Sequence, residues 1–207
     1  MSDIDLDVVV NGERKQARVR ADVLLIDWLH ESLGLTGTKF SCGIGACGSC
    51  KVALQEEEGG EMLPVLACFA RVSSINGMHI TTVEGIADAD EPNALQQAFL
   101  EHHAFQCGWS TPGFLMAATV LIDGLRREPV HADTLDDHIL EAIGGNLCRC
   151  TGYFRYFSAI KEVILAEPGL VIPGAPEPPV AAPSSVSFSL TKRSGNDLHE
   201  KTLVGRF

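Results

Sequence analysis

The sequence predicts an α+β protein in which a small mixed β-sheet carrying one packed helix precedes an all-α bundle of four helices. Three observations carry that expectation: period-two alternation with a hairpin signal over Ile4 to Arg20, a shift to helical periodicity and capping signals after Gly85, and two separate groups of cysteines, one in each part. The chain divides on this reading into residues 1–85, residues 86–167 and a proline-rich extension over 168–207.

Residues Ile4 to Val10 alternate or run β-branched, Asn11-Gly12 is a strong two-residue hairpin signal, and Gln16 to Arg20 resumes the alternation. Asp22 stands at an N-cap position ahead of Leu24, Leu25, Trp28, Leu29 and Leu33 at helical spacing, with Gly34 as the stop. Lys51 to Leu54, Leu63 to Cys68 and His79 to Val83 supply further strands, and Glu56 to Glu61 reads as a charged, solvated turn. Ile86 to Asn93 is a connector. Beyond it Ala94, Leu95, Ala98, Phe99 and His102 share one helical face. Thr111-Pro112 forms an N-cap and N1 pair that opens an apolar helix from Gly113 to Arg127. Asp133 caps a third helix through Ile143, stopped by Gly144-Gly145, and Gly152 precedes a fourth, Phe154 to Ala166, ended by Pro168. Short links between four helices make a bundle. The tail holds six of the ten prolines by Pro183 and then turns Ser/Thr-rich, so it is expected to form a disordered, partly polyproline-like extension long enough to wrap a partner subunit.

Hydrophobic residues make up 45% of the chain and charged residues 21%, an ordinary balance for a soluble protein. The net charge of −11 argues against nucleic acid, whose phosphates must be neutralised by Lys and Arg. The longest apolar run, Phe114 to Ile122, is too short for a membrane span, and Met1-Ser2-Asp3 lacks the features of a secretory leader. A cytoplasmic, thiol-preserving compartment is the resulting expectation.

Cys42, Cys47 and Cys50 are spaced C-x4-C-x2-C, and Cys68 follows after a polar excursion. This is the ligand pattern of a plant-type [2Fe–2S] cluster, in which four thiolates hold two irons and two sulfides. Gly43, Gly45 and Gly48 let the loop fold tightly and turn amide N–H groups toward an anionic cluster. A structural zinc site with four cysteines is the competing reading. Disulfides are disfavoured by the odd count of seven cysteines and by the single residue between Cys148 and Cys150.

The second group comprises Gln106-Cys107-Gly108-Trp109-Ser110 and Cys148-Arg149-Cys150-Thr151-Gly152, each just ahead of a predicted helix. Orphan amides and the positive dipole end of a helix attract an anion by about 0.3–1 kcal/mol per helix. A second [2Fe–2S] site follows, with Cys107, Cys148 and Cys150 as thiolate ligands. Ser110 occupies the place where a C-x2-C pair would supply the fourth. Its oxygen is a harder donor than sulfur, which would weaken the site and displace its potential downward. In the alternative reading Ser110 caps the helix beside a site that holds no metal. His102 and His103 are further candidates, ranked below Ser110.

Taken together, Leu35-Thr36-Gly37-Thr38-Lys39 with the four cysteines after it, Gln106-Cys107-Gly108, Thr111-Pro112-Gly113 and Cys148-Arg149-Cys150-Thr151-Gly152-Tyr153 resemble the small iron–sulfur subunit of molybdenum hydroxylases, over about residues 4 to 166. These are the relatives of xanthine dehydrogenase, aldehyde oxidoreductase and aerobic carbon monoxide dehydrogenase. The resemblance implies a β-grasp ferredoxin-like domain, then a helical [2Fe–2S]-binding domain, and a role as electron relay. It further implies a large partner subunit that binds molybdopterin and hydroxylates a heteroaromatic or aldehyde carbon, and FAD in a medium subunit or another acceptor. Gln106 and the loop around Cys150 are implied to approach the pterin. No phosphate loop, HExxH or Ser/His/Asp motif points to bond-making chemistry in this chain. Two competing readings are a one-cluster protein whose bundle is a docking scaffold, and a zinc-binding module.

Overall fold

Strands β1 (Asp3–Val10) and β2 (Glu13–Arg20) pair antiparallel around a turn in which Asn11 (φ 51°) and Gly12 (φ 81°) both adopt left-handed backbone, the geometry that matches strand twist. The computed structural model describes residues 2–87, 91–174, 188–194 and 197–203. Three more strands, β3 (Lys51–Gln55), β4 (Leu63–Leu66) and β5 (His79–Thr81), complete a mixed sheet of order β2-β1-β5-β3-β4, with β1 and β5 parallel at its centre. Leu6, Val8, Val10, Val52 and Ile80 from one face of the sheet bury against Leu25, Ile26, Trp28 and Leu29. Each such side chain contributes about 1.5–3 kcal/mol by leaving water. The architecture is α+β with the sheet first, as the sequence predicts.

The helix behind the sheet starts differently from expectation. Asp22 does not cap it, because its carboxylate is bound by the Arg20 guanidinium at 2.7 and 3.1 Å. Helix α1 (Leu25–Asp27) instead begins after an extended Leu24 and continues as a π-helical turn over Trp28–Ser32. Its first amides are satisfied by main chain: Leu25 N–H donates to Ala70 O at 2.8 Å and Ile26 N–H to Ala67 O at 3.0 Å. The helix start therefore ties down Ala67, next to Cys68, and Ala70, two residues beyond it.

The second part contains α2 (Ala94–Glu101), α3 (Thr111–Arg127), α4 (Leu135–Gly144) and α5 (Phe154–Ala166). Helix α2 carries a reciprocal cap that the sequence reading missed: Gln96 N–H donates to Asn93 Oδ1 at 2.8 Å, and Asn93 N–H to Gln96 Oε1 at 2.9 Å. Helix α3 begins one residue earlier than predicted, with Ser110 rather than Thr111 at the N-cap position, because the Thr111 hydroxyl is engaged with Tyr156 OH at 3.0 Å. Helix α4 likewise follows Thr134, not Asp133. The core centres on Phe99, Phe114, Ile139, Tyr156 and Ile160, with Tyr156 stacked on Phe114 at 4.0 Å and 8° between rings.

Both cores lie within one compact unit, Met1–Pro173. They meet along a seam that joins one main-chain hydrogen bond to a brace of two polar side chains, Asn146 and Lys51. Leu147 N–H donates to Cys47 O at 2.9 Å, Asn146 Nδ2 to Gly48 O at 3.3 Å, and Lys51 Nζ reaches both Asn146 Oδ1 and, at 3.2 Å, Ala142 O. The first turn of α3 comes so close that a Cβ on Gly113 would stand 2.2 Å from Gly48 O.

Part of the predicted 168–207 extension is ordered on the bundle. Leu170 is buried, and β7 (Val171–Ile172) pairs in parallel with β6 (Val130–His131). Within the separate unit Gly174–Phe207, β8 (Phe188–Ser194) and β9 (Asp197–Leu203) form an antiparallel hairpin rather than a structureless end. The polyproline-like stretch expected up to Pro183 lies outside the described residues from 175 to 187, as do 88–90 of the predicted connector.

Two substitutions in one helix should act oppositely. Gly113→Ala drives a carbon into a carbonyl that cannot swing away, and should destabilise the full chain by about 1–3 kcal/mol. Gly124→Ala, in the same helix with open space around it, should stabilise by about 0.5–1 kcal/mol. Urea unfolding of both variants checks the difference in sign.

Candidate metal centres

The loop between residues 41 and 50 has no regular structure, and Gly43, Gly45 and Gly48 all take left-handed backbone at φ 67°, 74° and 68°. A β-carbon is strained there, so glycine is the residue that permits this repeated reversal. Its effect is to aim amides inward. The backbone N–H of Ile44 and then the Cys47 thiol, with the amides of Cys47 and Ala46, hold the Cys42 thiol down to about 6, against the usual alkaline value. Cys50 behaves oppositely. Burial pushes it up to about 12, with the Cys68 thiol beside it and the Cys68 amide pulling the other way. Cys47, Cys50 and Cys68 are 7%, 1% and 3% exposed, so this group is closed off from solvent apart from Cys42.

The four predicted ligands thus fall into two pairs, Cys42 with Cys47 and Cys50 with Cys68. Among the described residues no three His, Cys, Asp or Glu side chains are grouped so as to hold one metal ion. A two-iron cluster asks only two protein ligands of each iron, and this pairing supplies them. Soft thiols ringed by amide donors fit an anionic [2Fe–2S] group.

The second group repeats the pairing. Cys107 and Cys150 approach at 3.5 Å between sulfurs, which raises the Cys150 thiol. Cys148 is paired with Ser110. Burial acts to raise the Cys148 thiol, but the Ser110 and Thr151 hydroxyls outweigh it and hold the group at about 7, with Thr151 Oγ1 donating at 3.2 Å. Ser110 itself is buried, and its hydroxyl makes no capping bond to α3, so the capping role that the sequence also allowed is absent. All four side chains line one cleft of about 770 Å³, which Cys47 of the first group also reaches. The cleft is not the dry interior expected of a bundle: Cys107 and Cys150 are exposed on this chain. Trp109, Leu147 and Tyr153, which line the same cleft, are 52%, 57% and 38% exposed. Gln106 is exposed beside Cys107. His102 is removed from candidacy by its bond to Glu162 at 2.6 Å.

Helix placement explains the convergence. The residues ahead of α3 and α5 deliver Cys107, Ser110 and Cys150 to one end of the bundle, and Tyr153 at φ 70° turns the chain sharply between Cys150 and α5. Its phenol receives the Cys148 amide at 3.1 Å. Thr151 and Tyr153 stand in the Cys148–Tyr153 motif without a role that the sequence assigns, whereas Tyr156 reads only as a core position.

Comparison with known proteins agrees with this geometry. A 2Fe-2S iron-sulfur cluster binding domain matches residues 8–73 and a [2Fe-2S] binding domain matches residues 82–161. The nicotinate dehydrogenase small FeS subunit of Eubacterium barkeri is 36% identical over 164 residues, 79% of this chain and 97% of the relative. Caffeine dehydrogenase subunit gamma of Pseudomonas sp. (strain CBB1) is 40% identical over 164 residues, 79% of this chain and 92% of its own. Among solved structures, a chain of quinoline 2-oxidoreductase from Pseudomonas putida 86 superimposes with a TM-score of 0.66 at 35% identity, covering 81% of this chain and 93% of that one. With the order of its two iron–sulfur domains, its paired thiols and these relatives all in agreement, the chain belongs to the small [2Fe–2S] iron–sulfur subunits of the molybdenum hydroxylase family.

Proposed function

We propose that the chain is the electron relay of a multi-subunit molybdenum hydroxylase, standing between a large subunit that binds molybdopterin and FAD in a medium subunit, or another acceptor. Cys42, Cys47, Cys50 and Cys68 hold one [2Fe–2S] centre, and Cys107, Cys148 and Cys150 hold a second with one further ligand. Such centres, when bound, supply one-electron oxidation and reduction without exchange of ligands.

The observation that carries this reading is the hydrogen bond from Leu147 N–H to Cys47 O at 2.9 Å. Leu147 precedes Cys148, so a ligand of one centre is joined to the neighbour of a ligand of the other by a single main-chain bond. The residues on either side hold that bond still. Gly48 and Gly113 permit the contact, and Asn146 and Lys51 brace it from two sides.

The exposures support a direction for the relay. Three of the four thiols in the first group are buried, whereas Cys107 and Cys150 are exposed in a cleft lined by Trp109, Leu147 and Tyr153. An exposed apolar lining of this kind marks a surface for a protein partner. Gln106 and the Cys150 loop therefore face the molybdopterin subunit, and the β-grasp half faces the acceptor.

Iron and sulfide analysis of the full chain should find about four of each, with two rhombic paramagnetic resonance signals after reduction. A chain that takes up no iron under anaerobic reconstitution defeats the proposal. Cys50→Ala should remove one signal and about half the iron while leaving the other signal in place. Copurification from the native source should return a molybdopterin-containing subunit in stoichiometric amount, and its absence from every iron-loaded preparation would count against the assembly.

A further inference from the structure

Resting on the two-centre reading above, we infer that the fourth ligand of the second centre is the oxygen of Ser110, oriented by the phenol of Tyr156. The first centre shows what such a site demands of this chain: two pairs of donors, one pair for each iron. At the second site Cys107 pairs with Cys150, and Cys148 is left with Ser110. Ser110 lines the same cleft as the three cysteines. His102 is turned to Glu162, and Thr151, which also touches Cys148, is spent on it as a donor.

Three observations make Ser110 more than a spectator. It occupies the N-cap position of α3 yet accepts no hydrogen bond from the amides of that helix, although a serine there ordinarily does so. It is only 7% exposed, so its hydroxyl is not consigned to solvent. Its polar neighbours are the Cys148 thiol and the hydroxyl of Tyr156. Tyr156 in turn is fixed by Thr111 at 3.0 Å, by its stack on Phe114 and by Phe99 at 5.3 Å. A phenol held rigid in this way, with Ser110 and Cys148 both beside its hydroxyl, can hold the serine oxygen in place and stabilise negative charge on it.

Ligation breaks the Ser110 O–H bond and forms an oxygen–iron bond, with the proton released through the cleft to solvent and no change in electron count. The phenol then donates to the bound oxygen. Tyr156 is a positioning residue, since it acts through Ser110. An oxygen donor, harder than sulfur, lowers the potential of this centre relative to one with four thiolates.

The test uses the full chain, reconstituted anaerobically with iron and sulfide, in four forms: unchanged, Ser110→Ala, Ser110→Cys and Tyr156→Phe. With about four iron in the unchanged chain, Ser110→Ala should fall to about two, or keep iron with altered resonance g-values for the second signal alone. Ser110→Cys should retain about four iron and show a raised midpoint potential at that signal. Tyr156→Phe should retain iron but lower the same midpoint, a change that loss of packing alone would not confine to one signal. Unchanged iron content, g-values and midpoint in Ser110→Ala overturn the assignment while leaving the relay reading standing. An unchanged midpoint in Ser110→Cys overturns it as well. About two iron in the unchanged chain would instead remove the second centre and this inference together.

Discussion

An anionic inorganic group bound inside a protein must be met by N–H groups, and the backbone can supply several at once only where it reverses direction within a few residues. Everything else in this chain is arranged around that constraint. The left-handed glycines of the 41–50 loop satisfy it at one end of the sheet, and the residues before α3 and α5 satisfy it at one end of the bundle. Once both loops lack side-chain bulk, they can also press against each other, which is why the seam runs through Gly48, Gly113 and the carbonyl of Cys47. The feature that holds sulfur is the same one that brings the two halves together.

The two sites differ in the manner in which they treat charge. In the first, Cys42 is drawn toward its thiolate by backbone amides and the Cys47 thiol, while burial makes Cys50 resist ionisation. In the second, side-chain hydroxyls take over the work of amides: Ser110 and Thr151 flank Cys148, and Tyr156 stands behind Ser110. Hydroxyls can rotate and amides cannot. The second site is therefore tuned in part by a few replaceable side chains, and the first chiefly by main-chain geometry that its three left-handed glycines permit.

Much of this was legible in the sequence, and the reason is locality. The hairpin at Asn11-Gly12, the C-x4-C-x2-C loop and the helix after Gly152 each depend on residues close together in the chain. The failures came where distant backbone supplied what a nearby side chain could have. Asp22 sits at an N-cap position, but Arg20 claims its carboxylate and the carbonyls of Ala67 and Ala70 finish the helix instead. Thr111 lost the cap to its bond with Tyr156, which no spacing rule connects to it across 45 residues. Ser110 was visible as an anomaly of composition; that its hydroxyl ignores its own helix could only be seen in three dimensions.

The seam at Leu147 and Cys47 has one more implication. Electron tunnelling slows steeply with separation, so a relay must keep its two stations at an unvarying gap. Here the link between residues next to the two sets of cysteines is a peptide hydrogen bond, which every amino acid except proline can donate, braced by the side chains of Asn146 and Lys51. Surface residues on either half are thereby free to drift toward new companions and new chemistries, while the spacing that governs the speed of transfer is inherited unchanged.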